Sequence, residues 1–93
     1  MVHHLVFFQM NEGIAPGALV ERLRALDGAV GGLQSLVAGE SLSGDDGQWD
    51  VGLHTTHLDR EALEAYRVDP KHREVVAWIK ENTSARTFLD FET

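Results

Sequence analysis

Pro70 rules out one continuous helix between residues 59 and 82. Its ring removes an amide donor and disfavours helical backbone at Asp69, yet it suits the first position of a new helix. The stretch Tyr66-Arg67-Val68-Asp69-Pro70-Lys71-His72 is therefore a corner. A helix carrying Leu63 and Tyr66 ends near Val68, and a second starts at Pro70. Asp69 stands at the N-cap, where its carboxylate can accept from the amides of Lys71 or His72. His72 falls in the first turn of the second helix, where the positive end of the helix dipole favours a neutral imidazole. The corner holds the only Tyr of the chain, one of its two Pro and one of its five His. A Tyr closing one helix and a His opening the next can converge on one cavity. The competing interpretation is a plain structural corner with a packed Tyr and a surface His.

Hydrophobic periodicity places the other elements around this corner. Residues 2–9 alternate as a strand with His4, Val6 and Phe8 on one face and His3, Leu5 and Phe7 on the other. Both faces are apolar beyond the first pair, as in a central strand. Pro16 opens an amphipathic helix that runs to about Val30 through Leu19, Leu23 and Leu26. Gly28, Gly31 and Gly32 stop it; they follow a helix and precede no lysine, so they do not form a phosphate loop. Residues 34–42, interrupted by Gly39, form an edge or bulged strand. Ser43-Gly44-Asp45-Asp46-Gly47 is a polar hairpin connection without the acidic pattern and closing Glu of a calcium loop.

Residues 48–56 form a third strand, with Trp49, Val51, Leu53 and Thr55 on one face. Asp59 caps the helix bearing Ala62, Leu63 and Tyr66. The helix from Pro70 buries Val75, Val76, Trp78 and Ile79 and ends at Asn82-Thr83-Ser84. Residues 85–92 return as a last strand with Phe88 on one face and Leu89 and Phe91 on the other. The order strand, helix, strand, strand, helix pair, strand is a ferredoxin-like βαββαβ arrangement of the α+β class, with a split second helix and a four-stranded antiparallel sheet. Right-handed crossovers put all helices on one sheet face. The other face, bearing Leu5, Phe7, Leu89 and Val37, calls for a partner, and a two-fold homodimer supplies one.

Composition narrows the function. Residues 1–93 make one domain with enough chain for one modest core. A net charge of −7 repels phosphate backbones, so nucleic acid is not an expected partner. There is no cysteine, and hence no disulfide or thiol chemistry. The start of the chain lacks the pattern of a signal peptide, and no apolar run approaches a membrane span. A cytoplasmic protein is expected. His54 and His57 point to opposite faces of a strand, and no third ligand accompanies any His pair, so no metal site is expected.

His4-Leu5-Val6-Phe7-Phe8, Trp49-Asp50-Val51, Phe88-Leu89-Asp90-Phe91 and above all Tyr66-x-x-Asp69-Pro70-x-His72 resemble the stress-responsive α/β-barrel (Dabb) family over nearly the whole chain. The resemblance implies a dimeric α/β barrel in which two ferredoxin-like protomers pair sheet to sheet. Its fold and corner are also similar to plant polyketide cyclases of the olivetolic acid cyclase type. That similarity implies His72 as general base, Tyr66 as the residue orienting substrate, and a ligand pocket lined by His4, Val6, Phe8, Val51, Leu53 and Phe88. Asp69 stands where the family often has His, His57 where it usually has Phe, and Val51 where the cyclases carry a pocket His. Two functions follow. One is a homodimeric Dabb protein of unassigned activity with a small apolar ligand pocket. The other is a cofactor-free, aldol-type cyclase or isomerase acting on a small apolar or polyketide-like ligand through His72 and Tyr66.

Overall fold

The computed structural model describes residues 1–43 and 47–93. Residues 44–46 of the polar connection lie outside the described residues. The chain forms β1 (Val2–Met10), α1 (Pro16–Arg24), β2 (Ser35–Glu40), β3 (Val51–His57), α2 (Arg60–Val68), α3 (Pro70–Asn82) and β4 (Thr83–Glu92). The four strands make one antiparallel sheet in the order β2-β3-β1-β4. This is the ferredoxin-like βαββαβ fold with its second helix split at Pro70. Among the described residues, no helix is long and apolar enough to cross a membrane.

Alternation along β1 sorts the molecule into two sides. Val2, Val6, Phe8 and Met10 are buried beneath the helices. Leu19, Val20 and Leu23 of α1 and Ile79 of α3 pack on Val6, Phe8 and Met10 together with Val51 and Leu53 of β3. A second, smaller cluster joins Val2 to Leu63 and Tyr66, with Val30 and Leu33 against it. On the opposite face, Val37, His54, Leu5 and Leu89 line up across the sheet. Val37 is 67% exposed, Leu89 59% and Phe7 43%.

Several boundaries differ from the sequence expectation. The helix expected to reach Val30 ends at Arg24. Beyond it the amides of Leu26, Asp27 and Ala29 donate to the carbonyls three residues back, at 3.0–3.1 Å. These tight turns keep Leu26 inward, so the apolar period continues after the α-helix has stopped. β2 stays in register through Gly39, which pairs with Gly52, so the glycine marks an edge strand and not a bulge. The bulge lies between Gln9 and Met10 against β4. There the Met10 amide donates to the Asp50 carboxylate at 2.7 Å. Asp50 thus serves as a side-chain stop for β1, and Trp49 falls ahead of β3, which begins at Val51. β4 starts at Thr83, directly after α3; its amide and hydroxyl both donate to the Ile79 carbonyl and close the helix.

Candidate functional site

The corner is built as its residue types require. α2 ends at Val68 and α3 begins at Pro70. Asp69 is extended, at φ −61° and ψ 131°, as the residue before a proline must be. One carboxylate oxygen accepts from the Lys71 amide at 2.9 Å, capping α3, and the other accepts from the Gly31 amide at 3.1 Å. These amides, Gly31 first, hold the Asp69 carboxyl below the ordinary carboxylate range. The cap therefore also ties the loop after α1 to the corner.

Gly32, in that same loop, makes a close approach. Its φ is +75°, and a Cβ there would lie 2.0 Å from the Ala62 carbonyl oxygen. Only glycine lets the loop lie on α2 at this distance. The Gly32 carbonyl accepts from His57 Nδ1 at 2.6 Å, while the Thr55 hydroxyl donates to His57 Nε2 at 2.8 Å. His57 is fully buried and 5.0 Å from the Tyr66 ring. Burial lowers its pKa, and the Gly32 carbonyl opposes that shift. A neutral His57 with both nitrogens satisfied is the floor beneath Tyr66.

Tyr66 is 1% exposed, and its ring centroid lies 4.3 Å from that of His72. The two rings touch, but no hydrogen bond joins them; a hydroxyl–imidazole lock at the corner is not formed. The Tyr66 hydroxyl is buried with no hydrogen-bond partner among the described residues. Such groups are uncommon in native interiors. Burial pushes its pKa up to about 12, so it keeps its proton at neutral pH. His72 Nδ1 lies 3.3 Å from the Arg67 carbonyl. A carbonyl only accepts, so Nδ1 carries the proton and Nε2 keeps the lone pair. Burial lowers the His72 pKa, and the Arg67 carbonyl opposes the shift. The neutral imidazole expected from the helix dipole has desolvation as its main cause here.

A cavity of about 190 Å³ opens beside this ring pair, between sheet and helices. Its sheet wall is His4, Val6, Phe8, Leu53, Arg86 and Phe88. Its helix wall includes Leu23, Tyr66, Arg67, His72, Val75, Val76 and Ile79. Tyr66, His72, His4, Val6, Phe8, Leu53 and Phe88 thus come together around one space. Val51 does not: it is 2% exposed within the core. β3 carries Leu53 to the cavity and leaves Val51, two residues earlier along the strand, packed in the core.

Three polar residues at this site escape the sequence patterns. His4 Nδ1 is hydrogen-bonded to Asp90, whose second oxygen accepts from Arg67 at 2.6 Å. A carboxylate only accepts, so His4 Nδ1 carries a proton toward Asp90, and its Nε2 has no hydrogen-bond partner among the described residues. Asp90 stands in the Phe88-Leu89-Asp90-Phe91 segment, and alternation already puts it on the face of Phe88; only the pairing of His4 with Asp90 across β1 and β4 makes that placement meaningful. Arg86 is opposite Phe8 by the same register. On the outer face, His3 Nδ1 and His54 Nε2 are 3.0 Å apart, and His3 stacks on Phe91. Among the described residues no group of three or more His, Cys, Asp or Glu comes together at metal-binding spacing.

The chain is 31% identical to an uncharacterized protein of Streptomyces coelicolor over 86 residues, which cover 87% of this chain and 89% of that one. A dimeric ferredoxin-like protein of unknown function from Bacteroides fragilis superposes with a TM-score of 0.85 at 17% identity, covering 99% of this chain and 95% of its own. A dimeric ferredoxin-like protein of unknown function from Thermobifida fusca gives 0.85 at 22% identity, covering 99% and 90%. At these identities the two structures speak for the fold alone. Residues 2–93 match the model of the stress responsive A/B barrel domain, and the chain belongs to that family.

Proposed function

We propose that the protein is a homodimer that binds a small carbonyl compound in this cavity and moves a proton at the carbon next to the carbonyl, with His72 as general base. The observation that carries the proposal is the buried, unpartnered Tyr66 hydroxyl beside a neutral His72, at a cavity whose inner end is apolar. His72 Nε2 takes the proton from the α-carbon, and the electron pair moves to the carbonyl oxygen. The Tyr66 O–H donates to that oxygen as charge develops there. The enolate then takes the proton back from His72, giving exchange or isomerisation. Asp90 holds the His4 ring in place at the edge of the cavity.

Aldol-type cyclisation uses the same abstraction, followed by attack of the enolate on a second carbonyl. The cavity is below the ~300–1,000 Å³ of most ligand pockets, which favours a single ring or short chain over an extended polyketide. Dimerisation is supported by the exposed apolar sheet face with Leu5, Phe7 and Leu89, and the Bacteroides and Thermobifida structures are dimeric. Burying ~1,500 Å² there is a standard interface.

The test is exchange of α-hydrogens of small aryl and alkyl ketones with D2O, followed by proton NMR. General-base catalysis contributes about 10²–10⁴-fold, so His72→Ala should cut the exchange rate by that factor with the dimer intact. Tyr66→Phe should cut it less. Exchange unaltered by His72→Ala would overturn His72 as the base, and no exchange above the uncatalysed rate would leave a non-catalytic ligand-binding dimer.

A further inference from the structure

We propose that the ligand of this cavity is a small organic anion, a carboxylate carrying one ring or a short apolar chain, and that Arg86 holds its charged head. The inference rests on the use of the cavity as the ligand site and adds the chemical class. The protein has a net charge of −7, yet no Asp or Glu lines the cavity among the described residues, and two arginines do. Arg67 is already engaged: it donates to Asp90 at 2.6 Å, and Glu64 is 3.9 Å away. Arg86 has neither an ion pair nor a side-chain hydrogen bond with any described residue. An uncompensated guanidinium beside an apolar hollow is matched by a planar oxyanion, which its fork can meet with two parallel hydrogen bonds.

Size and position narrow the class. A cavity of ~150 Å³ accommodates benzene, so the ~190 Å³ here takes one ring with a small substituent. Arg86 and Phe88 lie on edge strand β4, at the mouth, and both are exposed. Val6, Leu53 and Ile79 are buried at the inner end. An amphiphile therefore enters apolar end first and leaves its head at Arg86.

The experiment is titration of ¹⁵N-labelled full-length protein with benzoate, phenylpyruvate, phenyl phosphate and benzyl alcohol at constant ionic strength, following the amides of Tyr66, His72 and Ile79. Benzoate and phenylpyruvate should bind about tenfold more tightly than neutral benzyl alcohol, as a charge-assisted pair implies. Arg86→Gln should erase that preference, bringing benzoate and phenylpyruvate down to the affinity of benzyl alcohol, and Arg86→Lys should restore part of it. Phenyl phosphate binding above benzoate, lost in Arg86→Gln, would support the anion site and assign its head to phosphate. Equal affinity for charged and neutral ligands, unaltered in Arg86→Gln, would overturn the inference while leaving the cavity as a ligand site. No amide perturbation by any of the four would overturn both. Exchange activity is not read in this experiment, so failure of the proton-transfer proposal remains separate.

Discussion

The two faces of the sheet are made from the same four strands, and they differ in what covers them. Beneath the helices, Val6, Phe8, Val51 and Leu53 are closed over by the chain itself, and the remaining hollow is edged by His4, Tyr66, His72 and Arg86. On the other side, Phe7, Val37 and Leu89 stand in the open around the His3–His54 pair. The covered face has its polar groups fixed by specific partners: Asp90 for His4, Gly32 and Thr55 for His57, Arg67 for His72. Tyr66 and Arg86 are the exceptions among the described residues, and on the proposed function these are the groups kept for a ligand. The open face has apolar area and few fixed polar contacts, which suits association more than chemistry.

The contrast is broken most severely at Gly32. Gly32→Val should destabilise the fold by about 3 kcal/mol or more, since a Cβ meets the Ala62 carbonyl and the backbone is left-handed. Gly52→Ala, whose Cβ would meet only the Phe7 ring at 3.8 Å on the open face, should change stability by less than about 1 kcal/mol. Urea midpoints of the two variants measure the difference between the faces. Near-equal losses would mean that the loop of Gly32 adjusts freely.

Leu5→Asp places a carboxylate in the middle of the open face and should convert the proposed dimer to monomer at micromolar concentration, read by sedimentation. Leu89→Asp, at a more exposed position, should do the same with less risk to folding. A wild-type chain that sediments as a monomer would remove the dimer from the account.

Acid should act through the covered face. His57 and His72 both have folded pKa values below the ordinary 6.5 because burial disfavours their charged forms. The unfolded chain then binds protons first. The stability they contribute is complete above about pH 6.5 and is lost as the pH falls through the folded values. His57→Phe removes one titration, so the urea midpoint should fall less between pH 7 and pH 5 than in the wild type. A pH profile identical in the two would deny His57 this part.

The smallest expected effect is also the most diagnostic. Tyr66→Phe deletes an unpartnered buried hydroxyl and should raise stability by about 1 kcal/mol, against the usual direction of a core substitution. The same variant should slow α-hydrogen exchange. Gain in stability with loss of activity is the signature of a group kept for a ligand; loss in both would mean that the hydroxyl has a structural partner.

Much of this was legible in the sequence because local chemistry dictates it. Pro70 splits the helix, Asp69 caps the new one, and alternation along residues 2–10 sorts Val6 and Phe8 from Leu5 and Phe7. Tyr66, His72, His4, Val6, Phe8, Leu53 and Phe88 at the cavity were also legible through the resemblance, though Arg67, Arg86 and the absence of a Tyr66–His72 hydrogen bond were not. What only tertiary structure decided are the meetings between segments distant along the chain. Asp90 reaches His4 because β4 pairs with β1 in one register, and Gly31 and Gly32 reach Asp69 and α2 because a loop after α1 lies over a corner some forty residues later. Val51 and Leu53 share a strand face and have the same apolar character, yet only Leu53 meets the cavity. Side-chain period records which face a residue takes; where helices part above that face depends on packing between elements, which no local pattern encodes.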